Sequence, residues 1–197
     1  MFQPEAKYEF VRRYCSPAQG WRVFVDIDAS EEGRTGGERK TEEARQRQRR
    51  MQEEGAEAMA KLEALGAQVR RNRARWFREH GLPMMVGDRD IVAFHEASRR
   101  LLVVEVEAES SGQPEQKVYK AAGQAVSAAS VERPKGWQAC FVIAVHGEAM
   151  ARQLRNMNAL QKLGISALAL ARHPTDDKWV FGEVLGGMDR TDAGGAR

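Results

Sequence analysis

Residues 87–107 constrain this chain more than any other stretch. The run Gly87-Asp88-Arg89-Asp90-Ile91-Val92-Ala93-Phe94 meets a polar break over 95–100, and Leu101-Leu102-Val103-Val104-Glu105-Val106-Glu107 follows. Two runs rich in Val, Ile and Leu about a tip too polar to continue a buried strand predict a β-hairpin. Side chains alternate along a strand, so Leu101, Val103, Glu105 and Glu107 share one face while Leu102, Val104 and Val106 share the other. Two carboxylates therefore end an apolar strand on one side. Asp90 opens the partner strand, and antiparallel pairing brings it opposite that end. Converging buried carboxylates are costly unless something cationic sits among them. Hard oxygen ligands of this kind suit Mg²⁺, with Mn²⁺ as a substitute. The alternative is a solvated strand end, or an ion pair with Arg89.

Composition narrows the surroundings of this hairpin. At 197 residues the default is one domain with an appended arm, and 42% hydrophobic content supports a core and excludes wholesale disorder. The net charge of +3 conceals uneven placement of 31 basic and 28 acidic residues. Residues 45–50 and 70–78 are strongly basic, which suits a polyanion and equally suits solvated helix faces. Cys15 and Cys140 offer neither metal spacing nor a disulfide framework, as expected in a reducing intracellular compartment: nucleus, organelle or bacterial cytoplasm alike. No apolar run approaches a membrane span, and residues 1–10 lack the apolar core of a signal peptide. The four histidines are scattered without ligand spacing.

Read in order, residues 8–15 form a short helix or strand, and 21–28 alternate as a strand at a sheet edge. Residues 29–37 are a linker, closing an N-terminal segment at 37. From 38 to 50 a helical stretch carries almost no apolar residue and reads as a charged, solvated extension. The main domain spans 51–185. Met51, Gly55, Met59, Leu62 and Leu65 recur at helical spacing, with Gly66 as a stop. Residues 67–73 read as a first strand and 74–83 as a basic, aromatic connection to the hairpin. Pro114 opens a helix to about 131, and strand 137–145, helix 148–163, strand 165–171 and a last edge strand over 178–185 follow. Residues 186–197 read as a disordered tail. The result is a mixed α/β sheet with helices on its faces.

This order and these residues resemble the PD-(D/E)XK nuclease superfamily, and more closely the small Holliday-junction-resolvase-like and restriction-type endonucleases. Gly55-Ala56-Glu57-Ala58 falls at the helix signature, Gly87-Asp88-Arg89-Asp90 at the G-E-x-D strand, and Val103-Val104-Glu105-Val106-Glu107 at the strand ending in E-x-K. The resemblance covers roughly residues 51–145. It implies a restriction-endonuclease-like mixed sheet with an αβββαβ core, and metal-dependent hydrolysis of DNA phosphodiesters. It implies that Asp90, Glu105 and the Val106 carbonyl hold Mg²⁺, with Asp88 as an auxiliary ligand or a turn cap. The bound metal would then activate water and neutralise phosphate charge.

The departure is Glu107, where the family usually has Lys. Some active restriction enzymes of the superfamily end in E-x-E, the last Glu positioning water. Alternatively the positive charge migrates: Lys117, Lys120 and Gln124 follow one another at i, i+3 and i+7 on the next helix. Arg71, Arg73, Arg75 and Arg78 suit phosphate contacts, with Trp76 for stacking, and Arg99 and Arg100 at the hairpin tip suit the same. Two cuts on two strands are most simply made by two symmetric copies, so a homodimer is expected. Two readings compete with the nuclease: a nuclease fold that only binds nucleic acid, and a structural α/β domain whose arginines contact protein.

Overall fold

Trp21 to Ile27 show how the sheet is assembled. Val23, Phe24 and Val25 are all buried, so this strand is apolar on both faces, as a strand with neighbours and cover on both sides requires. The computed structural model describes residues 1–27, 41–69, 73–81, 89–108, 113–130, 135–176 and 178–186. It begins with helix α1 (Gln3–Tyr14), a 3-10 turn (Pro17–Gln19) and strand β1 (Arg22–Val25), followed by α2 (Glu42–Ala64), β2 (Gln68–Val69) and α3 (Arg73–Glu79). The hairpin strands are β3 (Ile91–His95) and β4 (Arg100–Glu107). After them come α4 (Pro114–Ala129), β5 (Gln138–His146), α5 (Glu148–Arg155), α6 (Asn158–Lys162), β6 (Ile165–Arg172) and β7 (Trp179–Leu185).

The strands form one seven-stranded mixed sheet in the order β2-β1-β3-β4-β5-β6-β7. β3 and β4 pair antiparallel, with Ile91 opposite Val104 and His95 opposite Arg100, as the hairpin reading expects. β5 runs parallel to β4, which places Glu105 beside Ile143 and Glu107 beside Val145. A parallel neighbour needs a crossover, and α4 supplies it. One face is covered by α1 and α2, with Phe10, Val11, Tyr14 and Leu62 against Val23, Ile91, Val104 and Val106. The other is covered by α3, α4 and α5, with Phe77, Val118, Ala125 and Leu154 against Phe24, Val92, Val103 and Ile143.

Several expectations are corrected. The strand expected at a sheet edge lies inside the sheet, flanked by β2 and β3. Residues 8–15 belong to a longer helix whose stripe Ala6, Phe10, Val11 and Tyr14 is in the core, so the N-terminal segment shares the main domain's sheet and core. Of the first strand expected over 67–73, Gln68–Val69 pairs in parallel with β1 at the edge and does not neighbour β3, while 70–72 lie outside the described residues. The connection expected over 74–83 contains a helix, because Trp76 and Phe77 are both buried. Helix 148–163 is broken at Asn156 and Met157. By contrast, the charged stretch over 42–50 runs on into the apolar-striped helix as one element, as the sequence reading expects, capped by Thr41, whose hydroxyl accepts from the Ala44 N–H at 3.2 Å; 38–40 lie outside the described residues. The linker over 29–37, Arg71, Asp88 and the tail from 187 lie outside the described residues.

Candidate active site

The hairpin brings three of its described acids, Asp90, Glu105 and Glu107, to one end of the sheet. Asp90 sits one residue before β3, and the register that pairs Ile91 with Val104 sets it opposite Glu105. Its Oδ2 accepts the Val106 N–H at 2.7 Å, which ties the carboxylate to β4. Asp26, just after β1, donates its N–H to the Asp90 carbonyl at 2.8 Å. Glu105 and Glu107 are 3% and 7% exposed. Charged groups buried this deeply need partners, and the structure supplies cations from three directions.

From β3's own approach, Arg89 Nη1 reaches Glu105 Oε1 at 3.3 Å, and both side chains are buried. This is the pair that the sequence offered as the alternative to metal binding. The Arg89 Nε is buried without a hydrogen-bond partner. From α4, Lys117 Nζ donates to the Ala108 carbonyl at 2.5 Å and lies 3.9 Å from Glu107 Oε2. From α1, Lys7 Nζ lies 2.8 Å from Asp90 Oδ1 and donates to the Asp26 carbonyl at 2.6 Å, with its side chain wholly buried. One turn earlier, Gln3 Nε2 donates to the Val106 carbonyl at 2.6 Å and approaches Asp90 Oδ2 at 3.5 Å.

These surroundings set the ionisation of the two glutamates. Burial pushes Glu105 up to about 8, reinforced by the negative charge of Asp90 and opposed by Arg89 and Lys7. Burial likewise pushes Glu107 up to about 7, with Lys117, Lys120 and Lys7 opposing and Asp90 reinforcing. Desolvation disfavours the charged carboxylate in both cases.

The expected site residues divide accordingly. Asp90, Glu105, Val106, Glu107 and Lys117 come together. Lys120 is exposed on α4 and acts on Glu107 through its charge. Gln124 lies a further turn along, half-buried. Arg75 and Arg78 are exposed on α3, and Arg75 Nε pairs with Glu79 at 2.6 Å. Arg73 begins the same helix. Trp76 is no stacking platform: it packs on Phe24, Phe77, His80 and Phe94 in the core. Glu57 of the helix signature pairs with Lys61 at 2.8 Å on an exposed part of α2. Cys15 is buried and Cys140 is half-buried.

Lys7 and Gln3 were missed. Their signal was present in the sequence: a lysine centred on the apolar stripe Ala6, Phe10, Val11 and Tyr14, with a glutamine four residues before it.

Among the described residues, no three His, Cys, Asp or Glu side chains are arranged to hold a metal ion. Mg²⁺ does not need three: it is commonly held by one or two carboxylates, with waters and substrate phosphate completing its shell. Asp90 and Glu105, facing one another beside the Val106 carbonyl, fit that smaller requirement. That carbonyl keeps a second lone pair beyond the one Gln3 uses. No described helix is long and apolar enough to cross a membrane. Compared with known proteins, the chain matches no family model, no curated protein and no solved structure.

Proposed function

We propose that this chain is a metal-dependent nuclease that hydrolyses phosphodiester bonds in DNA at the end of the β3–β4 hairpin. The observation that carries the reading is the gathering of Asp90, Glu105 and Glu107 at one end of the hairpin, with buried Lys7 and Arg89 and half-buried Lys117 around them. The site lies at the carboxyl ends of the parallel strands β4 and β5, where α/β sheets open their binding crevices. The succession α1, β1, β3, β4, α4, β5 supports a restriction-endonuclease-like αβββαβ core, with α2, β2 and α3 inserted between β1 and β3. In that alignment α1 takes the place that the sequence resemblance gave to α2, and β1 that of residues 67–73.

Asp90, Glu105 and the Val106 carbonyl would hold Mg²⁺ or Mn²⁺. When bound, the ion makes water more acidic and neutralises charge on the phosphoryl oxygens. Arg89 holds the Glu105 carboxylate in place. Glu107, lifted to about 7, is matched to neutral pH as an acceptor for the proton of the attacking water. As the water oxygen bonds to phosphorus, the bond from phosphorus to the leaving oxygen breaks, and the departing alkoxide takes a proton from solvent. Lys120, Arg75 and Arg78 are exposed and suited to backbone phosphates flanking the cut. Two copies acting on the two strands make a homodimer the simplest assembly.

A second reading has its own support. Gln3 and Lys7 already occupy the Val106 carbonyl and Asp90, as they would in a nuclease fold that binds nucleic acid without cutting. Incubation of supercoiled plasmid with the protein in Mg²⁺, in Mn²⁺ and in EDTA separates the two. Nicking in either metal and none in EDTA supports the nuclease; salt-dependent DNA binding without nicking supports the binding module.

A further inference from the structure

We infer that Lys7 is a positioning residue of this site, which fixes Asp90 and adds a buried positive charge to those of Arg89 and Lys117. The inference rests on reading the hairpin end as a cation-dependent nuclease site, and it concerns a residue of the N-terminal helix.

The first argument is burial. Lys7 is wholly buried in the middle of the stripe that docks α1 on the sheet, beside Phe10, Val11 and Tyr14. A helix that needed only to dock would be served as well or better by methionine or leucine there, because taking an ammonium out of water is expensive even when it is paired. The second argument is direction. The ammonium reaches the strand ends and meets the Asp26 carbonyl at 2.6 Å and Asp90 Oδ1 at 2.8 Å, bridging the end of β1 to the start of β3. The third is the company it keeps. Gln3, one turn away on the same helical face, binds the Val106 carbonyl and approaches the other oxygen of Asp90. The helix therefore grips Asp90 and the Val106 carbonyl at two points. Arg89 and Lys117 are directed at Glu105 and Glu107, which leaves the contact with Asp90 to Lys7 among these three cations.

This arrangement has an unusual signature. A divalent cation held by Asp90 would be repelled by the Lys7 ammonium, so Lys7 would weaken metal binding. The same charge favours the negative charge that builds on a phosphoryl group under attack, so Lys7 speeds turnover. A residue that merely holds the fold together would change both quantities in the same direction.

The experiment uses the full chain as wild type, Lys7→Met, and Lys7→Arg, which keeps the positive charge. Mg²⁺ alone is titrated by calorimetry, plasmid cleavage is followed under single-turnover conditions, and circular dichroism reports the folded fraction. Lys7→Met is expected to bind Mg²⁺ about tenfold more tightly, as removal of a close like charge requires. It is expected to cleave about a hundredfold more slowly, the scale of losing one preorganised charge. Lys7→Arg should keep about tenfold more cleavage than Lys7→Met. Unchanged cleavage in Lys7→Met overturns the inference, and so does a joint fall in Mg²⁺ affinity and cleavage. Failure of both variants to fold assigns Lys7 to the scaffold and overturns it too. A wild type that neither binds Mg²⁺ nor cleaves removes the nuclease reading itself, and the inference falls with it.

Discussion

Replacing Asp90 by alanine should cost stability even though it deletes one acid from a crowded group of three. Viewed from the sequence, the loss of an acid relieves repulsion and leaves folding unharmed. The structure reverses the sign, because Asp90 is the ionic partner of wholly buried Lys7 and the acceptor of the Val106 N–H. Removing one partner of a buried ion pair costs about 3–5 kcal/mol. Leaving a buried N–H without an acceptor costs about 1–3 kcal/mol more. Against this, Glu105 and Glu107 lose a repelling neighbour, an offset of about 1 kcal/mol because burial leaves Glu105 mostly and Glu107 about half protonated at pH 7. The net expectation for Asp90→Ala is a loss of about 3 kcal/mol or more, large beside a total of roughly 5–15 kcal/mol yet compatible with a folded protein. Urea denaturation at pH 7 without metal measures it. Lys7→Met/Asp90→Ala should be more stable than the sum of its single variants by about 2 kcal/mol, the size of coupling found between contacting residues. If Asp90→Ala falls within about 0.5 kcal/mol of wild type, as surface substitutions do, then Asp90 is a solvated strand end and the ion-paired site does not exist.

Stability without metal should fall with rising pH. Glu105 and Glu107 hold their protons in the folded state up to about 8 and about 7, against 4.5 unfolded, so the folded chain binds more protons between those limits. The associated stability is fully present below 4.5 and is lost as pH rises through 7 and 8. Thermal melts at pH 5, 7 and 8.5 should show the decline, and Glu105→Gln should flatten it. On α1, Phe10 is wholly buried against Tyr14 and Phe181, so Phe10→Ala should cost about 3–5 kcal/mol in urea denaturation. A cost under about 1 kcal/mol would deny this helix its place in the core. Arg75→Ala/Arg78→Ala should lower the slope of log K against log salt for duplex DNA by about 1.8 in fluorescence anisotropy. An unchanged slope would move the phosphate track elsewhere on the surface.

The hairpin and its acids were legible because alternation fixes which strand side chains share a face, and Asp90, Glu105 and Glu107 follow that rule without help from distant residues. β5 was legible as a buried strand because α4 has a clear start at Pro114 and the apolar run after Trp137 is long. β1 was misplaced because Arg22 and Asp26 at its ends suggested a solvent face, whereas Val23, Phe24 and Val25 between them are apolar on both sides. Residues 73–79 were misread because arginines dominate the segment, although the adjacent aromatics Trp76 and Phe77 both enter the core. Lys7 escaped notice for a deeper reason. Its value depends on a contact with Asp90, 83 positions away, and alternation or helical period says nothing about which distant element a buried lysine will meet. What a single sequence could show was the anomaly, a charged residue within an apolar stripe.

The central claim is that Asp90 and Glu105 together support cation-dependent cleavage of phosphodiester bonds. Its most direct test is single-turnover cleavage of supercoiled plasmid in Mg²⁺ by wild type, Asp90→Asn and Glu105→Gln, each confirmed folded by circular dichroism. The account predicts nicking by the wild type that EDTA abolishes, and a loss of about a hundredfold or more in both variants, the scale of removing a group that serves the transition state. Cleavage that persists in EDTA, or that survives undiminished in either folded variant, would contradict it.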